Sequence, residues 1–260
     1  MLAGVSTACF YPELTERAFA CISGFGAQAA EIFFNAPSEL NDSFTTQLAK
    51  IAADNGTKIL SVHPFTSGLE PLLFFSEYRR RTLDGLELYK RYFHAANVLG
   101  AKIFVLHGDR KEAVKPYNRY FDMFGELAYT GRSMGITVAQ ENVPRCTSNC
   151  PAFFKAMTSY LPDAKFVLDT KQCIRAGYSI RQMTEAMGER VIHVHISDHD
   201  AQNDCLPVGK GTMDLNEFLS NLKSHGFDGG VILEVYRSNY SDYHELQKSY
   251  QLILNAIQRQ

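Results

Sequence analysis

Six side chains of types that bind metal ions occupy the same kind of position along this chain. Each stands at the end of a short apolar run of strand type: His63, His107, Glu141, Asp169, His195 and Glu234. A charged group at the end of a buried strand costs several kcal/mol unless a metal, a cation or hydrogen bonds compensate it. One such histidine is commonly a hydrogen-bonded core residue. Six groups placed alike instead indicate one shared site.

Four of the six form a ligand set for a divalent metal ion: Glu141, Asp169, His195 and Glu234. Three carboxylates and one imidazole suit Mn²⁺, Mg²⁺, Co²⁺ or Zn²⁺, and the absence of cysteine from the set argues against a structural zinc site. His63 and His107 are candidates for a second metal position, with Glu141 as the bridging ligand. We therefore predict one or two bound ions.

Two of these carboxylates are also candidates for proton transfer. Glu141 and Glu234 end the fifth and eighth strands, which lie on opposite sides of a closed ring. A carboxylate near a substrate C–H can act as a base when its pKa is suitably tuned. Two bases beside a 2-hydroxy ketone could remove a proton from one face and return it to the other face or to the neighbouring carbon. A metal would polarise the carbonyl and stabilise the enediolate.

The elements that carry these residues alternate strictly between strand and helix. We predict eight strands and eight helices in one domain over residues 1–260, with the longest helix from about Ser76 to Leu99 and another from about Pro116 to Ser133. Such alternation indicates parallel strands with helices outside, either an open doubly wound sheet or a (β/α)8 TIM barrel. Only barrel closure brings six strand ends around one point, so we predict the α/β TIM barrel.

Composition and charge exclude several other classes. The formal net charge of −2 gives no global basic field for nucleic acid or an anionic membrane, although a local basic groove remains open. We find no leader pattern and no apolar run long enough to span a membrane, which predicts a cytoplasmic protein. The six cysteines lack CxxC spacing and are interpreted as reduced structural thiols.

Seven short motifs together resemble the xylose isomerase-like barrel superfamily: Ser61-Val62-His63-Pro64, Val105-Leu106-His107-Gly108-Asp109, Gln140-Glu141-Asn142, Val167-Leu168-Asp169-Thr170, His193-Val194-His195-Ile196-Ser197-Asp198, Pro207-Val208-Gly209-Lys210-Gly211 and Leu233-Glu234-Val235. The resemblance runs from about strand two to strand eight. The superfamily includes sugar phosphate isomerases and epimerases, ketose 3-epimerases, hydroxypyruvate isomerase, inosose dehydratase and endonuclease IV. The resemblance implies a metal on the four-residue set above, with Glu141 and Glu234 as the acid/base pair.

The sequence departs from two members of that superfamily. Ketose 3-epimerases have a histidine where this chain has Gln172 and an arginine where it has Ala201. Endonuclease IV uses the same histidine and an Asp-x-His motif for a third zinc, whereas this chain has Gln172 and Asp204-Cys205-Leu206. With two of those ligands missing and no basic groove visible, cleavage of DNA becomes the less favoured function.

Candidate substrate contacts lie in the loops beyond the strand ends. Lys210, between Gly209 and Gly211, is a candidate phosphate ligand, with an exposed loop lysine as the alternative. Arg145 could clamp a phosphate or carboxylate, and Gln172 and Lys171 follow the sixth strand.

Two further residues lie within the strands themselves. Glu31 ends the second strand, and it either bonds a sugar hydroxyl or is a structural carboxylate. His193 is expected to face the opposite side of its strand from His195 and is left out of the site.

The function predicted from these residues is isomerisation or epimerisation of a small sugar or sugar phosphate through an enediolate. A metal-dependent dehydratase of an inosose-type substrate shares the first proton abstraction and stays open as an alternative. An endonuclease IV-like hydrolase and a non-catalytic sugar sensor are the other two classes. The expected partner is a small molecule rather than nucleic acid or a membrane, and the Phe and Tyr content is compatible with a homo-oligomer.

Overall fold

Eight parallel strands close into a barrel in the computed structural model of this chain, which describes residues 1–111 and 117–260. Each strand pairs with its sequence neighbours, and β8 closes the ring on β1. The strands are β1 (Leu2–Ser6), β2 (Ala29–Phe33), β3 (Lys58–His63), β4 (Ile103–Leu106), β5 (Thr137–Glu141), β6 (Lys165–Asp169), β7 (Val191–Ile196) and β8 (Gly230–Leu233). The predicted TIM barrel is confirmed.

Ten α-helices surround this barrel in the described part of the chain. They are α1 (Thr15–Gly24), α2 (Asp42–Asn55), α3 (Glu70–Leu73), α4 (Arg79–Leu99), α5 (Tyr117–Ser133), α6 (Pro151–Tyr160), α7 (Thr170–Arg175), α8 (Ile180–Met187), α9 (Leu215–Ser224) and α10 (Tyr243–Gln258). The sequence pattern predicts eight helices. It misses α3 and α7 because an element of one or two turns has no detectable hydrophobic period.

Glycines end the long helices where the sequence predicts. Gly56 and Gly100 follow α2 and α4 with φ of +69° and +78°, a left-handed conformation that glycine adopts without strain. The helix α4 begins at Arg79, three residues after the predicted start, and Pro116, the predicted start of α5, lies outside the described residues. The helix boundaries are therefore close to those expected.

The core has two parts separated by the barrel wall. The large outer core lies between strands and helices, where aromatic residues such as Tyr89, Phe93 and Phe104 are fully buried. A small inner cluster inside the barrel consists of Val105, Ala139 and Val167. Because alternate residues of a strand face the same side, the residues two positions further on also face inward. These are His107, Glu141 and Asp169, so the barrel interior is directly below the candidate ligands.

No helix in the described ranges is both long and apolar enough to cross a membrane. All six cysteines lie in the described ranges and are unpaired, as predicted. The fold of the described residues therefore contains no disulfide bond.

Candidate active site

The six predicted ligands converge at the C-terminal end of the barrel in two groups. The four-ligand cluster contains Glu141, Asp169, His195 and Glu234, and the three-ligand cluster contains His63, His107 and Glu141. Within each cluster the ligand atoms lie within 4.8 Å of one another. Glu141 belongs to both clusters, which is the position that a bridging ligand would occupy. Barrel closure brings together residues that are up to 171 positions apart, from His63 to Glu234.

His195 lies at the centre of the four-ligand cluster. Its Nδ1 atom is 3.1 Å from Glu141 Oε1, 3.5 Å from Glu234 Oε2 and 3.8 Å from Asp169 Oδ2. Its Nε2 atom is 3.0 Å from Glu31 Oε2. An ionised carboxylate only accepts hydrogen bonds, so Nε2 donates to Glu31, and Nδ1, which in the metal-free protein carries a proton toward Glu141, is the nitrogen that would bind a metal in place of that proton. The ring therefore has the orientation that a metal ligand needs.

Electrostatics at this cluster favour a cation. Burial lowers the pKa of His195, but the carboxylates of Glu31, Glu234 and Glu141 outweigh it and raise that pKa well above its usual value. Burial raises the pKa of Asp169 to about 7, against the opposing charge of Lys171. Three carboxylates within a few ångströms repel one another unless positive charge lies between them. The same field that retains a proton on His195 would retain a divalent ion.

The three-ligand cluster is less well prepared for a metal. His63 Nε2 and His107 Nε2 lie 2.8 Å apart, and His107 Nε2 is 2.8 Å from Glu141 Oε2. A guanidinium is always a donor, and Arg145 Nη2 lies 2.9 Å from His107 Nδ1, so Nδ1 accepts and the ring proton stays on Nε2. That tautomer directs a proton, rather than a lone pair, toward His63 Nε2.

Glu141 Oε2 is the unsatisfied atom of the site. It is buried and accepts no well-directed hydrogen bond within the described ranges, despite its short distance to His107. Burial raises the pKa of Glu141, but His107 and His195 outweigh it and hold that pKa well below its usual range. An ionised, buried oxygen without a hydrogen bond is what a metal ligand or a proton acceptor requires.

Glu31 lies inside the barrel, below the four-ligand cluster, and is fully buried. Besides His195, it accepts hydrogen bonds from Ser6 Oγ at 3.1 Å and Ser61 Oγ at 2.7 Å, and its Oε2 is 3.4 Å from His193 Nε2. Burial raises its pKa, but the two histidines outweigh it and lower the pKa well below the usual range. With its oxygens occupied in this way, Glu31 fits the structural alternative better than contact with a sugar.

The expected orientation of His193 is wrong. His193 faces the barrel interior on the same side as His195, with their ring centroids 5.3 Å apart, and its Nε2 is 2.9 Å from Ser61 Oγ. Residues two apart on a strand share a face, so the strand period itself places both histidines inward. His193 belongs to the polar layer around Glu31, beneath the ligands.

Lys171 is the residue that the sequence analysis placed least well. It lies on the unpredicted helix α7, its side chain is only 4% exposed, and its ammonium contacts both Asp169 Oδ2 and Glu234 Oε2. Burial lowers its pKa, but these two carboxylates outweigh it and raise the pKa well above its usual value. The sequence places Lys171 two positions after the predicted ligand Asp169, which puts it near the site. That spacing alone does not show whether its side chain points into the site or away from it.

Glu70, which the sequence analysis did not identify, supports the strand end that carries His107. This fully buried carboxylate on α3 accepts hydrogen bonds from the backbone N–H groups of His107 and Gly108, at 3.0 and 2.6 Å, and from Tyr89 Oη at 3.0 Å. Burial raises its pKa to about 7. Glu70 thereby fixes the backbone direction after β4.

The predicted substrate contacts fall at different distances from the two clusters. Arg145 is exposed and reaches His107 at the rim, and Gln172 is buried, with its backbone N–H donating to Asp169 Oδ1 at 3.0 Å. Lys210 is exposed on a loop whose flanking glycines donate backbone N–H groups to Asp198 Oδ2, and its ammonium makes no ion pair with the described residues. Of these three candidates, Arg145 and Gln172 thus adjoin the predicted ligands.

Solved structures with this fold include several sugar epimerases. A D-tagatose 3-epimerase-like protein superposes with a TM-score of 0.81, covering 100% of this chain and 98% of its own, at 20% identity. The D-psicose 3-epimerase of Clostridium cellulolyticum H10 gives 0.80 over 100% and 99% of the two chains at 17% identity. The 3-keto-D-glucoside 4-epimerase from E. coli superposes with a TM-score of 0.78, covering 98% of this chain and 99% of its own, at 18% identity. At these identities the likeness establishes the fold alone.

Sequence relatives cover most of the chain at modest identity. An uncharacterised protein of Mycobacterium tuberculosis is 27% identical over 91% of this chain and 89% of its own length. An inosose isomerase of Bacillus licheniformis is 26% identical over 66% of this chain and 68% of its own. The family model for the xylose isomerase-like TIM barrel matches residues 19–256, nearly the whole chain, and this protein therefore belongs to that family.

Proposed function

We propose that this protein is a metal-dependent isomerase or epimerase of a small sugar or sugar phosphate. The observation that carries the proposal is the convergence of three carboxylates, Glu141, Asp169 and Glu234, on Nδ1 of His195 at the mouth of the barrel. The relatives and structural neighbours named as sugar epimerases and inosose isomerase support the same class of substrate.

One divalent ion, Mn²⁺, Zn²⁺, Co²⁺ or Mg²⁺, would be held by the four-ligand cluster. The hydrogen bond from His195 to Glu31 directs Nδ1 toward the other three ligands, and three carboxylate ligands suit a hard or borderline cation. When bound, the ion supplies a Lewis acid for a substrate carbonyl. The tautomer that Arg145 imposes on His107 favours one ion over two.

Glu141 and Glu234 are the proposed proton-transfer residues. The side chain of Glu234 is 12% exposed, so a substrate in the barrel mouth can reach it, whereas the side chain of Glu141 is 2% exposed and keeps Oε2 unbonded. One carboxylate takes the proton from the carbon next to the carbonyl, and that C–H electron pair moves into the enediolate. Return of a proton to the opposite face gives an epimer, and return to the neighbouring carbon gives an isomer.

Support for this pair comes from the groups beneath it. Glu31 holds His195 in position through Nε2, and Glu31 is itself held by Ser6 and Ser61. A buried, hydrogen-bonded layer of this kind limits side-chain movement and so keeps the carboxylates aligned on the reacting carbon. Arg145, exposed at the rim, is the proposed contact for a phosphate or carboxylate of the substrate.

The departures at Gln172 and Ala201 bear on which sugar is bound. Gln172 is buried beside Asp169 and offers an amide in place of the histidine of ketose 3-epimerases. We infer that the substrate of this protein differs from a free hexulose at the position that the Gln172 side chain faces. The DNA hydrolase has no comparable support, because Asp204 is already paired with Arg175 at 2.6 Å.

Turnover of a substrate panel tests this proposal. The Mn²⁺-loaded protein is incubated with ketoses, aldoses, inososes and their phosphates, and products are resolved by chromatography and NMR. The account predicts that one compound is converted to its epimer or isomer, and that Glu234→Gln abolishes the conversion. The exposed acid Glu217 provides the matched control, and Glu217→Gln should leave the rate unchanged. Conversion that persists in Glu234→Gln would contradict the proposed role.

A further inference from the structure

Lys171 occupies the side of the four-ligand cluster where two of its carboxylates meet. Its Nζ atom contacts Asp169 Oδ2 and Glu234 Oε2, which are the same oxygens that lie 3.8 and 3.5 Å from Nδ1 of His195. The side chain of Lys171 is 4% exposed and that of Asp169 is 1% exposed. Lys171 is therefore enclosed with the ligands and not merely close to them.

The buried ammonium of Lys171 contributes directly to the electrostatics of the four-ligand cluster. Burial of an unpaired ammonium is very costly, and here two carboxylates on different strands compensate it. Conversely, Asp169, Glu234 and Glu141 would repel one another without a cation between them. The contacts of Lys171 with Asp169 and Glu234 compensate the buried ammonium and also reduce the repulsion between the carboxylates. Lys171 thus holds these carboxylates together in the way that a bound cation would.

A divalent ion and this ammonium require the same oxygens. Like charges at contact distance in a site of low dielectric constant repel strongly, and each oxygen has a limited number of lone pairs. The partly exposed ring of Tyr236, whose centroid lies 5.9 Å from Nζ and 5.0 Å from Arg175 Cζ, marks the direction in which the ammonium can move away from the oxygens. The lysine side chain is long and flexible enough to make that move.

We propose that Lys171 is a positioning residue that competes with the divalent metal ion for Asp169 and Glu234, so that metal binding displaces its ammonium. This inference rests on the four-ligand metal site of the proposed function. Lys171 then has two consequences: it keeps the cluster assembled when no ion is bound, and it weakens the affinity for the ion that replaces it.

Metal affinity tests the competition without any substrate. Metal-free wild type, Lys171→Met and Lys171→Gln are titrated with MnCl2 by calorimetry and by paramagnetic resonance of free Mn²⁺. Lys155→Met, at an exposed position on α6, is the matched control. The dissociation constant should fall by about tenfold or more in both Lys171 variants, equivalent to about 1.4 kcal/mol, and stay at the wild-type value in the control. Thermal unfolding without metal should occur at a lower temperature in both Lys171 variants.

The outcomes separate this inference from the function on which it depends. Unchanged or weaker Mn²⁺ binding in folded Lys171→Met and Lys171→Gln would overturn the competition while leaving the metal site intact. Mn²⁺ binding by Lys171→Met and Lys171→Gln, with none by the wild type, would support the competition in its strongest form. Absence of Mn²⁺ binding in every folded protein would overturn both the inference and the metal site. Lys171→Arg retains the charge, and tenfold tighter binding in that variant would also contradict the competition.

Discussion

Replacement of Glu31 by glutamine should weaken metal binding without contact between residue 31 and the metal. Glu31 Oε2 lies 3.0 Å from His195 Nε2 and 2.7 Å from Ser61 Oγ, and Oε1 lies 3.1 Å from Ser6 Oγ. Glutamine can keep its oxygen toward His195 and turn its amide nitrogen toward Ser6, so the shape is retained and the charge is lost. His195 then becomes a poorer metal ligand.

The expected size follows from the hydrogen bonds that change. A hydrogen bond to a charged group contributes about 1.5–3 kcal/mol, against about 0.5–1.5 kcal/mol for a neutral one. Loss of an outer partner of this type typically weakens metal affinity by about 10–100-fold, or about 1.4–2.7 kcal/mol. Glu31→Ala also leaves two hydroxyls and two imidazoles without their acceptor, and should lower the free energy of unfolding by about 3–5 kcal/mol.

Calorimetric Mn²⁺ titration and urea denaturation measure these two effects. Ser6→Ala is the matched control, because it removes the hydrogen bond to the other oxygen of Glu31, together with the hydrogen bond that Ser6 Oγ accepts from the N–H of Ala8. It should cost about 2 kcal/mol of stability, at about 1 kcal/mol for each hydrogen bond, and leave the Mn²⁺ affinity within about twofold. A folded Glu31→Gln protein that binds Mn²⁺ as tightly as the wild type would refute the argument that Glu31 orients His195.

Three further predictions follow from the same structure. Burial raises the pKa of Glu70 from 4.5 to about 7, so the folded metal-free protein binds the extra proton, and this group's contribution to the unfolding free energy should fall by about 3 kcal/mol as the pH rises between those two values. Urea denaturation at about pH 5 and about pH 8 should therefore show a loss that is about 3 kcal/mol smaller in Glu70→Gln than in wild type; the loss that remains in the variant includes that of Asp169, whose pKa burial also raises to about 7. Gly108 has φ of +93°, and an added Cβ would lie 1.9 Å from a tyrosine hydroxyl, so Gly108→Ala should cost about 2 kcal/mol or more by thermal unfolding, whereas Gly68→Ala, in open space, should cost far less. Arg145→Met removes the donor to His107 Nδ1, so metal analysis after Zn²⁺ loading should give a higher ratio of zinc to protein than in wild type; an unchanged ratio would contradict the tautomer argument.

The fold and the convergence of the six candidate ligands could be predicted because these residues share a simple pattern. A buried apolar run that ends in a carboxylate or imidazole is visible in the sequence, and the C-terminal ends of barrel strands meet at one mouth. Asp169 and His195 are paired in the strand register, which shows how closely their positions on neighbouring strands match. A local pattern is therefore enough to identify residues that meet only after barrel closure.

The sequence analysis did not identify Glu70 and did not resolve the roles of Lys171 and Glu31, because these depend on contacts that no local pattern encodes. Glu70 lies on a four-residue helix and bonds to the backbone 37 and 38 positions further along the chain. Lys171 enters the site only because α7 turns immediately after β6. The role of Glu31 depends on partners from three other strands. The sequence alone could therefore not decide between a contact with a sugar hydroxyl and a structural carboxylate. His193 is different, since correct use of the strand period predicts its inward orientation.

Deuterium incorporation tests the central claim most directly. The Mn²⁺-loaded protein is incubated in D₂O with the converted sugar, and the recovered substrate and product are analysed by mass spectrometry. Proton transfer by Glu141 and Glu234 predicts one deuterium on carbon next to the carbonyl, absent in folded Glu141→Gln and Glu234→Gln proteins that still bind Mn²⁺. Product that forms without deuterium from the solvent, or label that persists in both variants, would contradict proton transfer by this pair.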